Sequence, residues 1–256
     1  MAYKLAIRAA GLAVREVPLR DWHIDVDATL AAITPQTRLI FIDNPGNPRS
    51  TFMPRDQLSR LLRGLPRDIL VVIDEAYHEY AWLDGCPSAL ELRHLHPNLV
   101  VIRTFSKAHG LASLRIGFVV APPPVIHALH VLRPPFNTSR VSQVAAVAAI
   151  EDVGHLSAII EQNRILREEM ESELLTRTEC RAVDSSTNFL LILLGLAPSP
   201  PPRWPAPPRH HAAPPRRRRR PRPPPRRHPR RRPRGDPGVL GGAAGGQPDR
   251  GGGLRV

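Results

Sequence analysis

Two rhythms of apolar residues alternate along residues 1–195. MAYKLAIRAAGLA spaces its apolar side chains three and four apart, which predicts a helix from Tyr3 to Ala13 with Gly11 near its end. VREVPL, ending at Leu19, predicts a short strand, and Asp25 to Ile33 a helix capped by Asp25. RLIFID (Arg38 to Asp43), ILVVID (Ile69 to Asp74), LVVIRT (Leu99 to Thr104) and IGFVVA (Ile116 to Ala121) are short, β-branched and nearly uninterrupted. That is the pattern of strands buried on both faces of a sheet. Pro54 to Leu62 predicts a helix with proline at its first position, and Trp82 to Pro97 shows no clear period. Three helices are expected after Ala121: Pro123 to Leu132, Ser139 to Asp152, and a long, exposed, amphipathic one from about Leu156 to Leu175. CRAV and NFLLILL then read as two strands. This alternation predicts an α/β fold, a mostly parallel sheet covered by helices, with function at the carboxyl ends of its strands.

The rhythm stops at Gly195. From Pro198 onward the chain has 16 arginines and two acidic residues, so this segment carries +14 while the remainder sits at −1. The basic character of the protein therefore belongs to its tail, and nucleic-acid affinity is not inferred for the whole chain. A Pro/Arg/Gly mixture buries too little apolar surface to order itself, so residues 196–256 are expected to be disordered. Two readings of the tail stand: an arginine-rich RNA-binding segment, or the product of a GC-rich gene read out of frame, which this composition favours. Cys86 and Cys180 lie far apart in no metal-ligand spacing, which fits a reducing cytoplasm better than a disulfide framework. The histidines, His94 and His96 among them, read as structural or surface residues, and His78 and His109 as neighbours packed around a site. No apolar run reaches the ~18 residues of a membrane span, and the first residues read as an amphipathic helix rather than a leader.

Four motifs fall at the predicted strand ends: NPGNP with Asn47, VVIDEAY with Asp74 and Tyr77, TFSK with Ser106 and Lys107, and Arg115 just before IGFVVA. Each has an ordinary structural reading: a turn asparagine, a helix-capping or metal-binding aspartate, a surface lysine. Together, in this order, they fit one chemistry. Burial between two strands lowers a lysine's pKa and frees its amine for Schiff-base formation. An aldehyde cofactor with a pyridine ring and a phosphate needs such an amine (Lys107). It also needs a carboxylate to keep the ring nitrogen protonated (Asp74) and donors to the ring hydroxyl (Asn47 and Tyr77). A grip on the phosphate falls to Ser106 and Arg115.

The stretches NPGNP, VVIDEAYHEY and VIRTFSKAHGLASLRIGFVVA resemble the fold-type I pyridoxal-phosphate-dependent aminotransferases. MAYKLAIRAAGLAVREVPL, RPPFNTSRVSQ and TNFLLIL extend the likeness from Met1 to about Gly195. DEAYHEY, IRTFSKAHGLA and PFN point within them to the histidinol-phosphate branch; aromatic aminotransferases and a phosphothreonine decarboxylase-like branch are the alternatives. The resemblance implies pyridoxal 5'-phosphate as cofactor, Lys107 as its anchor and as the proton carrier, and a cytoplasmic homodimer. The implied reaction moves an amino group between histidinol phosphate and 2-oxoglutarate, giving an imidazole-bearing phosphate ester and L-glutamate. It divides the chain into a partial cofactor-binding domain (1–152), the start of a smaller domain (153–195) and the tail (196–256). The family pattern has Thr-Gly where Arg49-Ser50 stands, and Gly at Ser113. Relatives also carry an amino-terminal phosphate-binding loop with a ring-stacking aromatic, and a carboxyl-terminal domain with a substrate-binding arginine. With those segments missing, weak activity is expected. The rival outcome is an inactive product with a basic tail.

Overall fold

A computed structural model describes residues 2–176 and 180–195. The expectations for residues 196–256 lie outside the described residues. The chain opens with α1 (Ala2–Ala9) and a two-stranded antiparallel hairpin, β1 (Leu19–Arg20) and β2 (His23–Ile24). Then come α2 (Val26–Ala31), β3 (Leu39–Asp43), α3 (Arg55–Gly64), β4 (Leu70–Asp74) and α4 (His78–Ala81). β5 (Leu99–Thr104), β6 (Gly117–Val120), α5 (Pro123–Leu132), α6 (Arg140–Glu151) and α7 (Val153–Leu175) follow, and β7 (Cys180–Val183) pairs antiparallel with β8 (Leu191–Leu194). Asp25 caps α2 as expected, its carboxylate accepting the Ala28 N–H at 2.9 Å. Pro54 stands immediately before α3 rather than inside it. The aperiodic stretch hides a 3₁₀ segment, Ala89–Leu95, capped by Ser88. VREVPL contributes only Leu19–Arg20 to a strand.

The central sheet has the order β3-β4-β5-β6. β3, β4 and β5 run parallel, with Asp43 beside Asp74 and Asp74 beside Ile102. Because successive strand residues alternate faces, Ile42, Val71, Ile73, Leu99 and Val101 turn together toward one helical layer. There they pack with Leu58, Leu61 and Leu62 of α3, Val26 of α2, and Ala89 and Leu92 of the 3₁₀ segment, all buried. A smaller cluster, Tyr77, Tyr80 and Ala108, packs with Leu156 and Ile159 of α7 and with Phe189. Burial on both sides is what the unbroken apolar runs of β4 and β5 require.

β6 corrects the expectation of a second buried strand. It runs antiparallel to β5, Thr104 opposite Gly117 and Val101 opposite Val120, at the edge of the sheet. Phe118 and Val120 are exposed. Apolar composition alone does not tell an edge strand from an inner one, because both need β-branched residues on a pleated surface. Gly117 has a packing reason. A Cβ there would lie 2.5 Å from the Arg103 carbonyl oxygen, so only glycine lets the two strands approach.

Candidate active site

The site is built on strand ends. β3 and β4 finish side by side on Asp43 and Asp74, and each carboxylate organises the turn that follows. Asp74 Oδ1 accepts the N–H of Ala76 at 3.0 Å, which turns the chain toward Tyr77. Its Oδ2 accepts the hydroxyl of Tyr3, whose ring stacks on Phe41 with centroids 4.8 Å apart and planes 7° from parallel. Burial pushes the Tyr3 phenol above its ordinary range, and the charge on Asp74 pushes it further.

Asp43 Oδ2 accepts the backbone N–H of Asn47 at 2.9 Å. Both Asn-Pro bonds of NPGNP are cis. Asn44 is buried and accepts the Met53 N–H at 2.7 Å, which ties the turn to the core. At the far side of the turn the Asn47 amide donates to the Tyr77 hydroxyl at 2.8 Å. The Tyr77 ring meets Phe189 edge-on at 5.2 Å, and Lys107 Nζ lies 5.1 Å from its centroid. Asn47, Tyr77 and Lys107 are thus brought together from three turns of the sheet, and Asp74 lies three residues from Tyr77.

Lys107 belongs to the hairpin between β5 and β6, not to a slot between two buried strands, and it is half-buried. Its carbonyl accepts the N–H of Gly110, and Phe105 N–H donates to Ile116. That last bond extends the ladder and sets Ser106 and Arg115 one step further along opposite sides of the hairpin neck. Arg115 adopts a left-handed backbone (φ 49°) and points its guanidinium at the Ala112 carbonyl, 2.9 Å away, in an exposed position. Ser106 and Arg115 therefore share a neighbourhood with Lys107, while the arginine is turned onto its own loop.

A second layer holds this surface. Glu75, fully buried, accepts Arg103 Nε at 2.9 Å and a second guanidinium nitrogen at 2.7 Å, with Ser88 Oγ and Ala89 N–H as further donors. Burial pushes its carboxyl up, and Arg103 pulls it back. This network fixes the DEAYHEY segment to β5. His78 is buried, and its Nδ1 has no partner among the described residues; burial and the Arg103 charge push it down to about 4, so it is neutral. Burial pushes the Cys86 thiol up to about 12. His96 is buried and satisfied, with its ring nitrogens on the Pro66 carbonyl and the Asn98 N–H. Sequence reading missed Tyr3, Phe189 and the Glu75–Arg103 pair. The available signal was Arg103, a charge in an otherwise apolar strand that demands a buried partner.

The sequence pattern of the family described as aminotransferase class I and II matches residues 1–199. Histidinol-phosphate aminotransferase from Sphingopyxis alaskensis is 45% identical over 193 residues, 75% of this chain and 52% of that protein. Aromatic amino acid aminotransferase from Mycobacterium sp. (strain KMS) is 49% identical over 160 residues, 62% of this chain and 45% of that protein. Histidinol-phosphate aminotransferase from Sinorhizobium meliloti, solved in complex with pyridoxal-5'-phosphate, superimposes with a TM-score of 0.69 at 29% identity, covering 76% of this chain and 53% of that one. The chain spans about half the length of the curated relatives it matches. On this footing, the chain belongs to the aminotransferase class I and II family.

Proposed function

We propose that the protein is a pyridoxal-phosphate-dependent aminotransferase acting on histidinol phosphate with 2-oxoglutarate as amino acceptor. The observation that carries the reading is the convergence of a lysine amine, a hydrogen-bonded Asn–Tyr pair and a strand-end carboxylate at the carboxyl ends of the sheet's strands. The donor set fits the cofactor's ring: Asp74 offers a carboxylate for the ring nitrogen, and Asn47 and Tyr77 offer donors for the ring hydroxyl. Ser106 and Arg115, at the hairpin neck, would hold the phosphate. Bound there, pyridoxal phosphate supplies an aldehyde that condenses with amines and a protonated ring that draws electrons from the substrate's α-carbon. Lys107 would anchor the cofactor through its amine and would move the proton at the substrate's α-carbon as general base and then acid. Asp74 would keep the ring nitrogen protonated by its charge, and Tyr77, held by Asn47, would donate to the ring hydroxyl.

In the same reading residues 153–195 begin a smaller domain, and the protein is a cytoplasmic homodimer. Turnover by this chain is weak, because Asp74 is engaged by Tyr3 and Arg115 by its own loop. A second reading, an aromatic amino acid substrate, is favoured by the 49% identity to the mycobacterial enzyme. The test is a single-turnover measurement: the cofactor-loaded chain is mixed with histidinol phosphate or with phenylalanine, and the cofactor's absorbance is followed. A larger rate constant over dissociation constant for histidinol phosphate is expected. Preference for phenylalanine would select the second reading, and no change with either would overturn both.

A further inference from the structure

We infer that Asp43 and Arg49 are positioning residues for the cofactor: together they fix Asn47, and through it Tyr77, against the ring. The inference rests on the reading of Asn47 and Tyr77 as ring-facing groups. Arg49 stands where the family pattern has threonine, and an arginine beside an active site suggests a grip on an anionic substrate. The geometry points elsewhere. Arg49 is buried, and its two terminal nitrogens are spent on Asp43, one on the carboxylate and one on the backbone carbonyl. Its Nε has no partner among the described residues, so Asp43 is the whole of its compensation. A guanidinium so neutralised and enclosed is not available to an incoming anion.

The pair closes the NPGNP turn on itself. The Arg49 side chain crosses the turn over Gly46, where a Cβ would clash with its guanidinium; glycine at 46 is what lets the arginine lie there. While one Asp43 oxygen holds Arg49, the other accepts the Asn47 N–H, and the Asn47 amide donates to Tyr77. A continuous chain of hydrogen bonds thus runs from a charge pair whose arginine is buried to the two groups read as meeting the ring. Asn47 itself is exposed, so packing does not hold it; the clamp does.

The test uses the full chain with pyridoxal phosphate and three variants: Arg49→Met, the paired Asp43→Ala/Arg49→Thr, which leaves no buried charge unpaired, and Asn47→Ala. Amide exchange of the peptide spanning residues 44–50 is read without cofactor. Cofactor affinity and the pH midpoint of the bound cofactor's absorbance are read with it. Expected are faster exchange in both clamp variants, affinity weakened about tenfold, the size of one lost hydrogen bond, and a midpoint moved in the same direction as in Asn47→Ala. Adding Asn47→Ala to the paired variant brings no further loss. Exchange at the wild-type rate, or affinity and midpoint unchanged while Asn47→Ala alters both, would overturn the inference. Failure of the underlying reading shows differently: the wild-type chain takes up no cofactor at Lys107, or Asn47→Ala changes nothing, and the inference falls with it.

Discussion

The hydroxyl of Tyr3 donates to the carboxylate of Asp74, closing over the group read as the partner of the cofactor's ring nitrogen. The phenol is buried enough to stay protonated, so it would compete with the ring nitrogen for the Asp74 carboxylate. Tyr3→Phe keeps the stack on Phe41 and removes the competitor. Cofactor affinity is expected to rise roughly three- to tenfold, the equivalent of one modest hydrogen bond. Equilibrium titration by absorbance checks this; equal or weaker affinity in Tyr3→Phe would show that Tyr3 assists binding.

Asp74→Ala attacks the same relationship from the other side. Losing the charge-assisted contact to the ring nitrogen is expected to abolish measurable amino transfer while cofactor is still captured, because Lys107 and the Asn47–Tyr77 pair remain. Turnover within about threefold of wild type, less than even half of one charge-assisted hydrogen bond, would sink the assignment.

The Glu75–Arg103 pair predicts a stability effect apart from chemistry. Glu75 is fully buried with four donors around it. Arg103→Met leaves an uncompensated carboxylate in the interior, and a loss of about 3–5 kcal/mol is expected in urea unfolding. A loss below about 1 kcal/mol, the range of a surface pair, would mean the network is solvated.

His78 predicts how stability depends on pH. Its folded pKa, about 4, lies below the ordinary 6.5 because burial disfavours the imidazolium. The unfolded chain binds the proton first, so this contribution is fully present above pH 6.5 and is lost as pH falls toward 4. The full swing is about 3 kcal/mol. Comparing wild type with His78→Phe at pH 7 and pH 4.5 isolates it, and the difference between the two proteins should shrink or reverse in acid. A difference independent of pH would place His78 in contact with water.

The strands β3, β4 and β5 were legible because a strand buried on both faces leaves an unbroken apolar run. Asn47, Tyr77 and Lys107 were legible because each follows such a run at its carboxyl end, and the sheet gathers those ends. What pattern cannot carry is partnership at long range. Tyr3 meets Asp74 across 71 residues, and Phe189 reaches Tyr77 from the late NFLLILL run, whose pattern names no partner. Nor does an apolar run reveal whether it lies inside the sheet or at its rim, and β6 lies at the rim. Arg49 was visible as a departure from the family pattern, but its turn inward onto Asp43 depends on the space above Gly46.

Lys107 is read as the amine that holds the cofactor, and the composition makes this easy to test. The chain has only two lysines, Lys4 and Lys107, and Lys4 is paired with Glu16. The measurement is borohydride reduction of the full chain after incubation with excess pyridoxal phosphate, followed by peptide mapping. One equivalent of label is expected on the peptide containing Lys107, and none in Lys107→Ala. Label confined to Lys4 or the amino terminus, or the same labelling in Lys107→Ala, would contradict it.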